Sequence, residues 1–212
     1  MKIAFLVYEG LTTLDLIGPY EVFNATPGCE IAFVAKQAGE VRVDSRAFGI
    51  VVDHTLTEVD RPDVFVIPGG SAGTFAAAAD EEILNWVRKA HEESVLSTSV
   101  CTGSLILGAA GLLQGHRATT HWAAVPLLEQ HGASYVSQRI VSEGKIITAA
   151  GVSAGIDMAL FAVSRLFDEE TARAAQLAIE YDPEPPFDSG SPDKAGKQIV
   201  ERALTALTST RD

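Results

Sequence analysis

Apolar positions along this chain fall into two alternating patterns. Short unbroken runs are strand-sized: Lys2 to Tyr8, Ile31 to Ala35, Val64 to Ile67 and Val95 to Val100. Between them lie segments with helical spacing. Thr12 to Phe23 carries Leu14, Ile17, Val22 and Phe23 and is interrupted by Gly18-Pro19, which predicts a short helix kinked or started at Pro19. Asp80 to Glu93 reads as a helix with Asp80 as its N-cap and Ile83, Leu84 and Val87 on the buried side. Gly103 to Leu113 is apolar almost all round and reads as a buried helix. Ala123 to His131, Ser153 to Phe167, Glu169 to Ile179 and Ala195 to Leu207 complete the helices.

Smaller features fill the gaps. Val41 to Val43 and Ile50 to Val52 suggest a hairpin-like insertion, and Gly144-Lys145 marks a hairpin between Ile140-Val141 and Ile146 to Thr148. Tyr181 to Pro192, rich in Pro, Asp and Gly, reads as a surface loop. Buried strands that do not alternate, interleaved with helices, predict a mainly parallel sheet covered by helices on both faces. No internal repeat or long linker divides the chain, so the expectation is one α/β domain over residues 1–212.

Composition narrows the function. The 212 residues are 47% hydrophobic and 21% charged, ordinary for a chain with a sizeable core. A formal net charge of −12 and the lack of any Lys/Arg run argue against nucleic-acid or anionic-membrane partners. No apolar stretch approaches the ~20 residues of a membrane span, and the first apolar run lacks a signal-peptide cleavage pattern. The expected location is the cytoplasm, where a disulfide between Cys29 and Cys101 is not expected. No C-x-x-C spacing suggests a metal site, and none is expected.

Cys101 stands apart from Cys29, which has the context of a structural residue. Strand gives way to helix at Cys101, and small residues, Ser99 and Gly103, lie two positions to either side. That is the pattern of a nucleophile elbow, in which bulky neighbours would clash in the tight turn. A helix N-terminus there would favour thiolate. The bland alternative is a buried apolar filler.

A cysteine nucleophile needs a proton partner. No histidine follows position 131, which excludes a late His-x-Glu pair of the amidotransferase kind. His91 falls on a polar helix face. His121 is the best-placed histidine, although a helix-start residue bonded to backbone explains it as well. Asp15 lies among apolar residues just after the first strand, either as an N-cap or as a carboxyl group aimed at a site. Aimed at Cys101, its pKa would rise on burial, and it could carry a proton. The turn Pro68-Gly69-Gly70 ends another strand, where open α/β sheets place their sites. The amides of Gly69 and Gly70, with that of Thr102, could cradle an oxyanion.

Four ordered motifs resemble the ThiJ/PfpI family: Leu14-Asp15-Leu16-x-Gly18-Pro19-x-Glu21-Val22-Phe23, Ile67-Pro68-Gly69-Gly70, Ser99-Val100-Cys101-Thr102-Gly103 and Arg117-Ala118-Thr119-Thr120-His121-Trp122. The resemblance covers nearly the whole chain. It implies a flavodoxin-like, doubly wound fold related to the class I glutamine amidotransferase domain. Further stretches, among them Gly108 to Gly115, Ala154-Gly155-Ile156-Asp157 and Tyr181-x-Pro183-x-Pro185-Pro186-Phe187, resemble the isocyanide-hydrating branch of that family.

What the branch implies is a lyase that adds water to an isocyanide, R–N≡C, and releases an N-substituted formamide through a covalent thioimidate. No cofactor is implied. Cys101 would attack, Asp15 would handle the proton, Thr102 would supply its N–H and hydroxyl, and Val152 would form part of the pocket wall. A homodimer is implied by family habit. Many relatives carry histidine after the cysteine and a glutamate as the acid. Thr102 and Asp15 stand there instead, which argues against protease or glyoxalase chemistry. Two rival expectations remain. One is a stand-alone ligand- or redox-sensing domain, like the amino-terminal domain of arabinose-activator-type regulators. The other is a different cysteine-dependent small-molecule hydrolase.

Overall fold

The unbroken apolar runs become the centre of a seven-stranded sheet. A computed structural model describes residues 1–208 of the chain. The chain begins with β1 (Lys2–Leu6), α1 (Thr13–Asn24) and β2 (Glu30–Ala35). It continues through β3 (Gly39–Arg42), β4 (Gly49–Val52), β5 (His54–Thr55) and β6 (Val64–Ile67). Next come α2 (Ala72–Ala78), α3 (Glu81–Glu93), β7 (Leu96–Val100) and α4 (Gly103–Ala109). β8 (Arg117–Ala118), a 3-10 turn (Trp122–Ala124), α5 (Val125–Gln130) and β9 (Ser134–Tyr135) follow. The remainder is β10 (Ile140–Glu143), β11 (Ile146–Ala149), α6 (Ala154–Leu166), α7 (Glu169–Ala178), α8 (Pro192–Ala195) and α9 (Lys197–Thr208).

The sheet order is β10-β11-β7-β6-β1-β2-β5. Every neighbouring pair is parallel except β10 with β11, the hairpin turned by Gly144-Lys145. Helices α1, α6 and α7 pack together on one face, and α2 to α5 on the other; β7, an interior strand, meets both α4 and α6. Covering both faces explains why β6 and β7 are buried at every position. Phe5, Phe23 and Phe65 are fully buried. Phe5 meets Phe23 edge-on at 6.2 Å, and Phe65 meets Trp86 edge-on at 5.7 Å. Burying each such side chain contributes about 2 kcal/mol.

The chain divides into two units, one from Met1 to Ile179 and one beginning at Glu180. In the second, residues 180–191 are irregular and mostly exposed, as the Pro/Asp/Gly composition predicts. Its helix is split in two by Gly196, at φ +75°.

Several predicted elements are redrawn. Helix α1 begins at Thr13, so Pro19 is internal rather than its first residue. The ring lacks the N–H that would reach back to the Asp15 carbonyl. Helix α4 stops at Ala109 instead of running to Leu113, because Gly111 turns the chain at φ +85°. The segment before His131 is a 3-10 turn followed by α5, joined near Pro126. Asp80 caps α3 as expected, accepting from the N–H groups of Glu82 and Ile83. Helix α2 has no counterpart in the sequence reading.

Candidate active site

Four adjacent strands, β11, β7, β6 and β1, end on the same edge of the sheet, and each delivers one part of a site. After β7 the chain turns through Cys101 at φ +58°, a left-handed conformation that a non-glycine residue adopts only when held there. The hold is complete. The Cys101 N–H donates to the carbonyls of Ala149 (3.1 Å) and Ala150 (2.9 Å). Its carbonyl accepts from the hydroxyls of Thr120 (3.0 Å) and Ser104 (3.2 Å). Gly103 is required beside it, since a Cβ there would meet the Ile67 carbonyl oxygen at 2.2 Å. The side chain is left 6% exposed.

Asp15 arrives from the first turn of α1 and is fully buried. It is not the N-cap; that position is Thr12. Its Oδ2 accepts from the Gly69 N–H at 2.9 Å. Its Oδ1 has no partner, and buried polar atoms without one are rare enough to need a reason. The Cys101 thiol lies near enough to act on the carboxyl's ionisation without a hydrogen bond of good geometry to Oδ1. Burial pushes the Asp15 pKa up to about 7, against the opposing pull of the Gly69 N–H and the thiol.

The thiol is also pushed up, to about 12, first by burial and then by the neighbouring Asp15 charge. Both effects oppose the thiolate that the helix start was expected to favour. Backbone N–H groups of Val152 and Thr102 act the other way and favour charge on the sulfur. The two buried acids therefore share a site that readily holds one negative charge and resists a second.

The glycine turn has a different task from the expected one. The Gly69 amide holds Asp15, and the Gly70 amide donates to Thr102 Oγ1 at 3.0 Å. Neither is left to cradle a substrate oxygen. Gly69 must be glycine, because a Cβ would come within 2.6 Å of the Thr102 nitrogen and 2.8 Å of Asp15 Oδ2. The Thr102 hydroxyl, in turn, is committed within the protein. It contacts the Gly70 carbonyl oxygen (2.8 Å) and Thr74 Oγ1 (3.0 Å). Thr74 continues the chain to the buried Tyr8 phenol at 3.1 Å, which donates to the Pro68 carbonyl at 2.8 Å.

Val152, expected as a wall residue, has φ +37°, an outlier for a β-branched side chain. Its amide favours charge on the Cys101 sulfur. His121 lies against Gly151, next to Val152, with its Nδ1 accepting from the Ala123 N–H at 3.3 Å. It is the helix-start residue of the blander reading, tilted on Trp122 at 5.3 Å. Burial lowers its pKa, disfavouring the charged ring. Sequence reasoning missed Thr120 as a brace of the elbow and the Val152 amide as a donor. The first lies in a quoted motif and could have been suspected; the second is backbone and leaves no residue signature. Among the described residues, no group of three or more His, Cys, Asp or Glu side chains could hold a metal ion. Nor is any helix long and apolar enough to cross a membrane.

Residues 1–165 match the DJ-1/PfpI family. The chain is 44% identical over 205 residues to the isonitrile hydratase of Pseudomonas putida, covering 96% of this chain and 88% of that one. The crystal structure of a ThiJ/PfpI family protein from Pseudomonas syringae superposes with a TM-score of 0.91 at 42% identity, covering 97% of this chain and 85% of that one. The HTH-type transcriptional regulator CdhR of Pseudomonas aeruginosa is 30% identical over 138 residues, covering 64% of this chain and 39% of the regulator.

Proposed function

The chain belongs to the DJ-1/PfpI family, and on that footing we propose that it is an isocyanide hydratase, converting R–N≡C and water into an N-substituted formamide. The observation that carries the reading is the buried pair of Cys101 and Asp15, a nucleophile whose proton partner is a carboxyl group poised near neutrality. The similarity to the Pseudomonas putida isonitrile hydratase supports the choice of substrate.

A pKa near the working pH suits a group that must accept a proton and return it. Asp15 takes the thiol proton as the sulfur adds to the isocyanide carbon, so no free thiolate has to accumulate. Asp15 then delivers that proton to the same carbon, giving the thioimidate R–N=CH–S–Cys101. Asp15, again a carboxylate, takes a proton from water as the water oxygen adds to the carbon and passes it to the nitrogen, giving R–NH–CH(OH)–S–Cys101. Collapse of this adduct breaks the C–S bond, the hydroxyl proton returns through Asp15 to the departing sulfur, and R–NH–CHO leaves with the thiol restored. The Val152 and Thr102 amides stabilise the sulfur wherever it carries charge, at attack and at departure. Thr102 fills its second role through its hydroxyl, which holds Gly70 and so keeps the Gly69 amide on Asp15. His121 and Gly151 form the side of the site next to Val152.

The reading includes a cytoplasmic homodimer acting on a small molecule. The test is formamide production from a simple aromatic isocyanide by the reduced protein and by Cys101→Ala. Turnover by the first and none by the second is expected. Equal formamide from both would remove Cys101 from the chemistry, and none from either would remove the activity.

A further inference from the structure

Asp15 is held by one end of a peptide bond, and Tyr8 holds the other end of the same bond. The unit between Pro68 and Gly69 is planar and trans, so its carbonyl and its N–H point in opposite directions. The N–H donates to Asp15 Oδ2 at 2.9 Å, and the carbonyl accepts from the Tyr8 hydroxyl at 2.8 Å. The local chain does little to fix that plane. Turning it takes rotation about one bond of Pro68 and one of Gly69, and Gly69 has no Cβ to oppose the turn. The Tyr8 hydroxyl is itself seated by Thr74 of α2, which lies 3.1 Å from it and donates to the Gly70 carbonyl at 3.1 Å. Thr74 gets there because α2 starts hard against the segment after β1: a Cβ on Gly73 would run into the Glu9 carbonyl oxygen, and one on Gly70 into that of Gly10. The next peptide is gripped in the same way. The Gly69 carbonyl accepts from the Thr12 N–H at 2.8 Å, and the Gly70 N–H donates to Thr102 Oγ1 at 3.0 Å.

We propose that Tyr8 is a positioning residue for Asp15: its hydroxyl, seated by Thr74, locks the Pro68–Gly69 peptide in the orientation that keeps the Gly69 N–H on the carboxyl group. The row of hydroxyls is not a proton path. It ends at the Pro68 carbonyl, and both Tyr8 and Thr74 are buried. Burial holds the phenol proton far above its ordinary range, so removing the Tyr8 hydroxyl takes away a donor but no charge. The other ionisable groups acting on Asp15 stay in place: Cys101 in the elbow and Asp44 in the β3–β4 turn. What the lock sets is how firmly Asp15 keeps its proton. Burial favours the protonated carboxyl, and the Gly69 N–H opposes burial by stabilising the carboxylate. A donor on the carbonyl also polarises the amide and strengthens what its N–H gives. A peptide free to turn withdraws that support. This deepens the proposed function, on which it rests only for the carboxylate being the form that starts the reaction.

The test follows the Asp15 carboxyl carbon by NMR against pH in the reduced, aspartate-labelled chain, its signal identified by its loss in Asp15→Asn. In Tyr8→Phe the midpoint should rise by about one pH unit, the scale of a weakened hydrogen bond to a charged group. Thr74→Val should move it the same way by about half as much, and Thr74→Ser, which keeps the hydroxyl, should leave it at the parent's value. Thr98→Val is the control. Thr98 is equally buried and donates to the Phe65 carbonyl at 2.9 Å, so its loss costs stability without touching the lock. A folded Tyr8→Phe with a midpoint within about 0.2 units of the parent's overturns the proposal, and so does an equal rise in Thr98→Val. If Tyr8→Phe fails to fold, the Thr74 pair decides, and equal midpoints for valine and serine overturn it. Turnover of an aromatic isocyanide is then read against pH. The acid limb of kcat/KM should move up with the carboxyl, leaving Tyr8→Phe about tenfold less active at about pH 6. If the midpoint rises and no isocyanide is hydrated by the parent, the hydratase reading falls and the lock stands. Hydration with an unmoved midpoint does the reverse.

Discussion

Replacing Asp15 by asparagine should make the protein more stable, and by an amount that depends on pH. In the folded chain burial pushes the carboxyl's pKa up to about 7, against an ordinary value of 3.8. The difference is about three pH units, and each unit is worth about 1.4 kcal/mol. Below about pH 4 both folded and unfolded chains hold the proton, and burying Asp15 carries no charge penalty. Between about pH 4 and pH 7 the unfolded chain releases it while the folded chain keeps it. The folded state then binds more protons, so stability falls as pH rises. Above about pH 7 both are ionised and a constant penalty of about 4 kcal/mol remains. Asparagine keeps the shape and can accept from Gly69, but never ionises. The stability of Asp15→Asn relative to the parent should therefore grow from near zero at about pH 4 to about 4 kcal/mol at about pH 8. Urea unfolding under reducing conditions, repeated across that range, reads this as a midpoint gap that widens by about 2 M. A gap independent of pH would refute the argument, since it would place the carboxyl's folded-state pKa at its ordinary value. The same variant should lose at least ~100-fold in turnover as the proton carrier is removed.

Other outcomes follow from the same geometry. The pH dependence of Cys101 alkylation should show a midpoint well above the ordinary thiol value and toward 12, moving down in Asp15→Asn; a midpoint below about 8.5 would show the sulfur to be pre-ionised. Gly69→Ala should lower stability by about 1–3 kcal/mol and depress activity, because its Cβ would push on the Thr102 backbone and Asp15 at 2.6–2.8 Å; melting and turnover equal to the parent's would contradict that packing. Sedimentation equilibrium should give twice the 22.5 kDa chain mass, and a monomer at micromolar concentration would end the dimer expectation.

The central strands were legible because burial on both faces leaves a continuous apolar run, as in Val64 to Ile67. Asp80 was legible because a cap has a residue type. Helix α2 was not: Ala72 to Ala78 buries only Thr74 and Ala77, and an alanine-rich stretch carries no stripe to read. The end of α4 was misplaced because the apolar pattern continues through Leu112 and Leu113 after the helix has stopped. In the site, Cys101 was visible through its small neighbours, and Asp15 through its apolar ones. The tasks of Gly69, Gly70 and Val152 were not, since an amide hydrogen looks the same in every residue and only its direction matters. The raised thiol was missed for a related reason. The sequence suggests a helix start beside Cys101, whereas the depth of burial is a property of the assembled fold.

Four neighbouring strand ends supply the site, yet they lie far apart along the chain, from Asp15 through Gly69 and Cys101 to Val152. Parallel neighbours cannot be joined by tight turns, so each pairing waits for a crossover to close. No fragment holding only the first two strands can contain a finished site. In a refolding experiment, far-ultraviolet ellipticity from local helices should return early, while Cys101 stays open to alkylation until β11 docks on β7 and brings the Val152 amide over the sulfur. Protection of that one thiol is thus a clock for the last long-range step of folding.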